Sequence, residues 1–436
     1  NNNAFAPSER DDLHRQLGLT WKTRHATGWN NSVVFTQYEM LKDLERVAGL
    51  PQPQADAGGM GTVTRRNGTG WNTLELQATY TPTPGDFGGG RHALVFGLHR
   101  NSYELKNIVN AASDWRNTES GLNQRYAGDT TITALYAQDA WRLAPDWQLT
   151  TGLRLESFRA RNGYQYFAGP PAAEQRFAGR NLHAVSPKVS LAWTAVSDLL
   201  LRASFGRGTR FPNVDELFNG TRTGNSITTS DPNLRPEESR AFELTAEKYW
   251  GEHWLRASLF RDDVKDTILR QADITSVPMV TRTSNVDRVL TKGLELAWQI
   301  HDLGIRGLNI GGSATWADAV VKANAANPAQ VGKKWPRIPR QRYTLEVSYR
   351  PGEQWLLGAI WRWHGQMFRS EMNTDIYPHG YGSTSRVNEL DLKASWRFAK
   401  NWEGVLGINN VTNNRAWQWH PLPQRSIQAE LRFALQ

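Results

Sequence analysis

The chain has 436 residues, no cysteine, and 51 Lys and Arg against 42 Asp and Glu, for a formal net charge of +9. No apolar run approaches the ~18 residues of a transmembrane helix, which excludes a helical membrane protein but not a barrel, whose strands hide apolar side chains at every second position. The cations are scattered along strands and loops, which argues against a nucleic-acid partner, and the lack of thiols suits a periplasmic or outer-surface protein.

The chain opens NNNAFAPSER, with no Met and no basic or apolar leader, so residues 1–13 are expected to belong to an outer loop. Alternation and turn punctuation then predict about seventeen strands. They fall near 14–24, 28–42, 71–81, 91–104, 128–143, 147–160, 186–195, 198–208, 239–249, 254–266, 289–300, 306–320, 341–350, 354–367, 386–398, 402–412 and 425–434. The pattern is clean at Trp147, Leu149, Thr151, Leu153 and Leu155, at Tyr343, Leu345, Val347 and Tyr349, and at Ile427, Ala429, Leu431 and Phe433. Arg154, Glu156, Arg342, Glu346, Glu430 and Arg432 sit between them.

Connection lengths separate a barrel from a soluble sandwich. Short turns at 25–27, 144–146, 196–197, 251–252, 302–304, 351–353 and 399–401 alternate with long polar loops near 43–70, 105–127, 161–185, 209–238, 267–288, 321–340, 368–385 and 413–424, with one mid-length turn at 82–90. All short turns at one end and all long loops at the other is the layout of an outer-membrane barrel. Many of the 19 tryptophans flank the short turns: Trp21 and Trp29, Trp141 and Trp147, Trp250 and Trp254, Trp396 and Trp402. Core packing does not predict that pairing, whereas a girdle of indoles at a hydrocarbon–headgroup boundary does.

The stretch from Leu199 to Ser239 shows one repeat of the layout. Leu199, Leu201, Ala203 and Phe205 alternate with Leu200, Arg202, Ser204 and Gly206, a loop follows, and a second strand restarts after Asp231-Pro232-Asn233 and Arg235-Pro236. The Pro and Asn positions read as devices that end one strand and begin the next, which leaves Asn213 to Ser230 as the expected ligand surface.

Several motifs, taken in order, resemble those of TonB-dependent outer-membrane receptors. Tyr136-Ala137-Gln138-Asp139-Ala140-Trp141 with Trp147 and Gly152-Leu153-Arg154 is similar to the family's strand–turn–strand signature, and Ser186-Pro187-Lys188 to its strand start. Gly206 to Leu217, through Arg210, Phe211, Pro212, Glu216 and Leu217, resembles the motif before the long loop. Pro232, Asn233, Leu234, Pro236, Glu237 and Ser239 resemble the motif after it, with Asp231 replacing an Asn. Gly293 and Glu295, then Asn409 and Asn413, match later family positions, and Phe433 stands near the final aromatic, although Ala434-Leu435-Gln436 follows it.

The resemblance implies an all-β fold: a transmembrane antiparallel meander β-barrel with about 17 of 22 strands present. Residues 1–436 would form one domain, incomplete at its N-terminus, with the signal peptide, plug, coupling box and first strands upstream. It further implies a monomer in the outer membrane of a Gram-negative bacterium, in contact with the bilayer and lipopolysaccharide. Its function would be energised uptake of a scarce nutrient complex, foremost a ferric siderophore, driven by the TonB–ExbB–ExbD complex. A passive porin, or uptake of cobalamin or an oligosaccharide, are the alternatives. Haem is disfavoured because residues 213–230 hold no His. No Ser/His/Asp or paired-carboxylate arrangement stands at a recognisable spacing, so no enzyme, cofactor or metal is expected.

Arg and aromatic side chains suit an anionic, aromatic chelate. Expected contacts on the long loops are Arg207, Arg210, Phe211, Arg222, Lys333, Lys334, Trp335, Arg337, Phe368, Arg369, Tyr377 and Tyr381. His364 is expected to face the lumen, as are Asp262, Asp263 and Asp266.

Overall fold

The computed structural model describes residues 6–169, 172–223, 226–273, 277–375 and 377–435. Strands of eight or more residues build a wall in sequence order: Ser8–Lys22, Gly28–Ala48, Gly70–Thr81, His92–Asp114, Thr118–Ala144, Trp147–Phe167, Arg180–Val196, Leu199–Arg210, Glu237–Trp250, His253–Asp273, Met279–Ile300, Leu308–Ala323, Gln341–Tyr349, Trp355–His364, Val387–Ala399, Trp402–Asn409 and Ser426–Phe433. Each pairs antiparallel with the next, giving the meander and the seventeen strands that alternation predicts. Among the described residues the first and last pair on one side only, and both are exposed along their length.

Two expected loops are ladder instead. Residues 105–127 lie almost wholly in the hairpin of His92–Asp114 with Thr118–Ala144, and 267–288 continue His253–Asp273 and Met279–Ile300. The first strand likewise begins at Ser8, inside the expected loop 1–13. Above the apolar belt polar and apolar side chains mix on the sheet faces, with Leu105 and Ile268 packed in one cluster and Leu269 and Val286 in another, so the alternation that signals a strand is lost while the backbone ladder continues.

Directly paired residues share a face, so the register sorts the wall into two sides. One side carries Val33, Leu76, Phe96, Leu135, Leu153, Leu155, Phe205, Phe242, Leu244 and Leu259. Most of these stand 38–56% exposed, far more bare apolar surface than a soluble monomer shows. The other side is polar and bonded across strands. Tyr136 bonds Glu75 and Gln77, Arg154 pairs with Glu156, Ser190 meets Ser204 at 3.0 Å, and Thr245 meets Ser258 at 2.9 Å.

Aromatic rings line the apolar side at the short-turn end: Trp29 with Tyr80 (5.1 Å between centroids), Trp147 with Trp193 (5.1 Å), Trp355 with Trp396 (5.3 Å) and Trp402 with Phe433 (4.7 Å). A second row lies on the same side toward the long-loop end, where Trp316 meets Tyr343 edge-on at 5.5 Å and Tyr343 stacks on Trp363 at 5.1 Å. Trp355 and Trp363 lie on one strand eight residues apart, about 26 Å along it at ~3.3 Å per residue.

Candidate functional site

The long-loop end of the polar side holds three clusters, and the first is the loop after Arg210. Asn213 caps the short helix Val214–Phe218: its Oδ1 accepts from Glu216 N at 2.8 Å, and a Glu216 carboxylate oxygen accepts from Asn213 N at 2.8 Å. This turns Leu217 and Phe218 down onto the wall, where they are buried with Leu234, Phe158 and Ala160. Gly128 and Gly163 make room for the Phe218 ring; a Cβ at either would lie 2.2 or 2.3 Å from it. Phe211, expected at a ligand, is 6% exposed and stacks on Phe158 at 4.9 Å.

Arg210 is likewise a clamp, donating to Glu237 at 2.7 Å and to Glu216 at 3.0 Å, and these carboxylates, Glu237 first, hold its pKa above the ordinary arginine value. Arg207 faces the opposite, apolar side, where it bonds Glu238 at 2.8 Å. Arg222 remains at the surface, its guanidinium 4.6 Å from the Phe167 ring.

The neighbouring motif residues also serve the loop. Pro212 is fully buried. The carbonyls of Pro232 and Leu234 accept from Arg180 at 2.6 and 3.0 Å, Asn233 N donates to the Asp231 side chain, and Glu237 accepts from Ile268 N at 2.6 Å. Pro236 leads directly into the strand Glu237–Trp250, where Ser239 bonds Asp262 at 2.5 Å.

Elsewhere Tyr136 fills the space above Gly97, Gln138 shares the polar side with it, and Trp141 stacks on His92 at 5.3 Å. Gly293 admits the Phe260 ring, and Glu295 lies opposite Ser258. Asn409 bonds Ser426, and Asn413, with φ 50°, accepts from Arg425 N at 3.1 Å. Asp262 faces the polar side, but Asp263 lies on the apolar side, bonded to Arg288 at 2.7 Å, and Asp266 pairs with Arg235. The expectation that all three face the lumen therefore fails at Asp263: period two sends it to the face opposite Asp262.

The second cluster lies between the loops after Ala323, His364 and Asn409. A cavity of about 650 Å³ is lined by Arg337, Arg342, His364, Met367, Arg369 and Trp419, among others. Arg369 lies 5.2 Å over the Trp419 ring and only 3.8 Å from Asp375, while Arg337 and Arg342 have no carboxylate partner among the described residues. His364 stands opposite Arg342 in the ladder and on the polar side, and bonds Gln418 at 3.3 Å. Phe368 contributes the carbonyl that accepts from Arg337 N at 2.7 Å. Trp335 is turned away and packs on Val286, Val289 and Val321, with Lys334 paired to Asp318. Lys333 joins that turn through its backbone N, which donates to Gln330 O at 3.0 Å. Tyr377 and Tyr381 are about four-fifths exposed, and Tyr381 meets Trp417 edge-on at 5.3 Å. Below them Glu371 reaches Gln330 of the facing loop, and burial pushes its carboxyl up to about 7 against the lowering effect of that bond.

The third cluster is an aromatic strip on the polar side, invisible to a reading of single strands: His14 bonds Tyr38 at 2.7 Å, Tyr38 stacks on Trp71 at 4.2 Å, and Trp71 lies 6.4 Å from Tyr103. Beside it Asp12, His14 and Asp43 converge as metal ligands would. Asp43 already accepts from Arg10 and Arg66 at 2.9 Å, and two guanidinium charges oppose a cation there.

The family profile described as "TonB dependent receptor-like, beta-barrel" matches residues 1–411. The chain belongs to this family. Among curated relatives, the TonB-dependent receptor barrel is 24% identical to the probable TonB-dependent receptor BfrD of Bordetella pertussis, over 62% of this chain and 34% of that protein. It is 24% identical to the probable TonB-dependent siderophore receptor PiuA of Acinetobacter baumannii, over 72% of this chain and 41% of that protein. The chain therefore spans well under half of either. Among solved structures, the copper transporter OprC superposes with a TM-score of 0.73 at 16% identity, covering 97% of this chain and 65% of that one. The ferric citrate transporter FecA superposes with a TM-score of 0.71 at 16% identity, covering 96% and 61%. These likenesses are ones of fold.

Proposed function

We propose that the chain is one barrel domain of an outer-membrane receptor that takes up a ferric siderophore, as a monomer and with energy from TonB–ExbB–ExbD. The two aromatic rows would mark the hydrocarbon boundaries, with the long loops outside the cell. The observation that carries the ligand class is the cavity where Arg337 and Arg342 lack carboxylate partners among the described residues and Arg369 stacks on Trp419. Unpaired guanidinium groups beside an indole face favour a planar, anionic guest through charge-assisted hydrogen bonds and stacking. The kinship with PiuA supports the same class.

The test is tryptophan-fluorescence titration of the intact receptor with ferric catecholate, hydroxamate and carboxylate chelates, for wild type and Arg337→Gln/Arg342→Gln. Each lost charge-assisted bond is worth about 1.5–3 kcal/mol, so the double variant is expected to bind ~10²-fold or more weakly. Unchanged affinity for every chelate would remove the cavity from the proposal, and uptake that persists in a strain lacking TonB would remove the energised mechanism.

A further inference from the structure

Eight non-glycine residues among those described have a left-handed backbone, with φ between 48 and 68°. Six of them are Asn or Asp, whose short polar side chains tolerate that region. The other two are Arg337, at φ 64°, and Trp419, at φ 68°. For a bulky side chain this conformation costs free energy, and it persists only where the surroundings impose it. Both outliers line the same cavity, the one of about 650 Å³ between the loops after Ala323, His364 and Asn409.

Backbone bonds between loops impose it here. Trp419 is the single residue between Gln418 and His420, which pair across a short hairpin. Its N donates to Ser383 O at 2.8 Å, and its carbonyl accepts from Gly382 N at 2.7 Å. Arg337 N donates to Phe368 O at 2.7 Å, which fixes the chain next to Arg369. Arg369 lies 5.2 Å over the Trp419 ring, in space that Gly382 leaves open: a Cβ there would stand 2.7 Å from the guanidinium. Three loops thus hold one another, and with them the cations and the indole.

A left-handed position is filled with least strain by Gly, Asn or Asp. Arg and Trp add nothing to the turn and cost it stability, so the reason for them lies in their side chains. We infer that Arg337 and Trp419 are binding residues held on strained backbone, which fixes a guanidinium and an indole in advance for a planar, anionic guest. This rests on the chelate site proposed above. Loops locked before the guest arrives spare it the ordering cost of binding. The same strain sets loop stability against affinity. A residue that only held the loop would lose both together when replaced.

The experiment uses Trp419→Asn and Arg337→Asn, which remove the side chain and accept the backbone, in the detergent-purified intact receptor. Affinity is read by equilibrium dialysis against radio-iron-labelled ferric tris-catecholate. Loop stability is read by hydrogen exchange of the Gly382 amide and of the amides at positions 337 and 419. Each variant is expected to bind about tenfold more weakly, for the loss of one cation–π or charge-assisted contact. The amides bonded at the substituted position should nevertheless exchange at least about threefold more slowly. Trp419→Phe and Arg337→Lys keep the ring or the charge together with the strain, and should retain wild-type exchange and most of the affinity. Exchange no slower in the Asn variants, or slower exchange with unchanged affinity, overturns the inference and leaves the chelate site standing. Wild type that fails to bind this anionic, aromatic probe overturns the chelate site and the inference with it.

Discussion

Phe218→Ala should release the loop after Arg210 without disturbing the wall. The ring is 1% exposed, fills the space that Gly128 and Gly163 leave open, and stacks on Phe177 at 5.8 Å. Truncating a buried phenylalanine costs about 3–5 kcal/mol. The ladder strands on either side keep their own hydrogen bonds, so the cost falls on docking of residues 211–236. Leu217, Leu234 and the Arg210 clamp stay in place, yet the loop-opening constant should rise by ~10²–10⁴, at 1.4 kcal/mol per tenfold. Hydrogen exchange reads this directly. Leu217 N bonds Asn213 O, Asn219 N bonds Asp215 O, and Arg222 N bonds the Gln124 side chain. These amides should lose protection while the paired amides of 130–140 keep theirs. Protection unchanged at all three would show that Phe218 does not anchor the loop, and equal loss along the wall would show that the loop and wall form one cooperative unit.

Three further outcomes are expected. Glu371 has a carboxyl pushed up to about 7 from an ordinary 4.5, so the folded loops bind its proton more tightly than the unfolded chain does. Burial of the Glu371 side chain between the loops therefore gains stability as pH falls from about 7 toward 4.5, seen as slower proteolysis of the 324–336 and 366–375 loops, and Glu371→Gln should abolish that dependence. Gly97→Ala places a Cβ 2.1 Å from Tyr136 Cζ and should lower denaturant resistance by about 1–3 kcal/mol, with most of the loss absent in a Tyr136→Ala background. Arg210→Ala severs two carboxylate partners at once, and for this half-exposed side chain about 1–2 kcal/mol of loop stability should go, read by the same exchange experiment, with Arg210→Lys recovering only part because Lys lacks the bidentate fork.

The wall was legible because its apolar belt enforces period two: Leu153 and Leu155 against Arg154 and Glu156 announce both faces of a strand. Beyond the apolar belt that constraint lapses, so the ladder through Lys106 and Ala127 reads as loop. The site was harder for a different reason. Arg and aromatic residues on loops look alike in sequence whether they meet a ligand, as the placement of Arg337 and Arg369 permits, or pack and pair internally, as Phe211, Trp335 and Arg210 do. Capping chemistry at Asn213 and Glu216 was the available signal that the next apolar residues turn inward. Arg342, Trp419 and the Tyr38–Trp71 stack come together only through cross-strand register, which no single stretch contains.

The hairpin of His92–Asp114 with Thr118–Ala144 continues far past its last apolar pair, Leu98 opposite Leu135. Asp114 lies sixteen residues beyond Leu98, about 50 Å along the strand at ~3.3 Å per residue, and about 40 Å in height at a 40° tilt. Such a ribbon is a mast rather than a tether. At its tip Arg116 and Asn117 are exposed, while Trp115 is buried and its Nε1 donates to Ala55 O at 3.1 Å. Substitutions at Arg116 and Asn117 can therefore change the tip's surface while leaving the ladder and the Trp115 contact untouched.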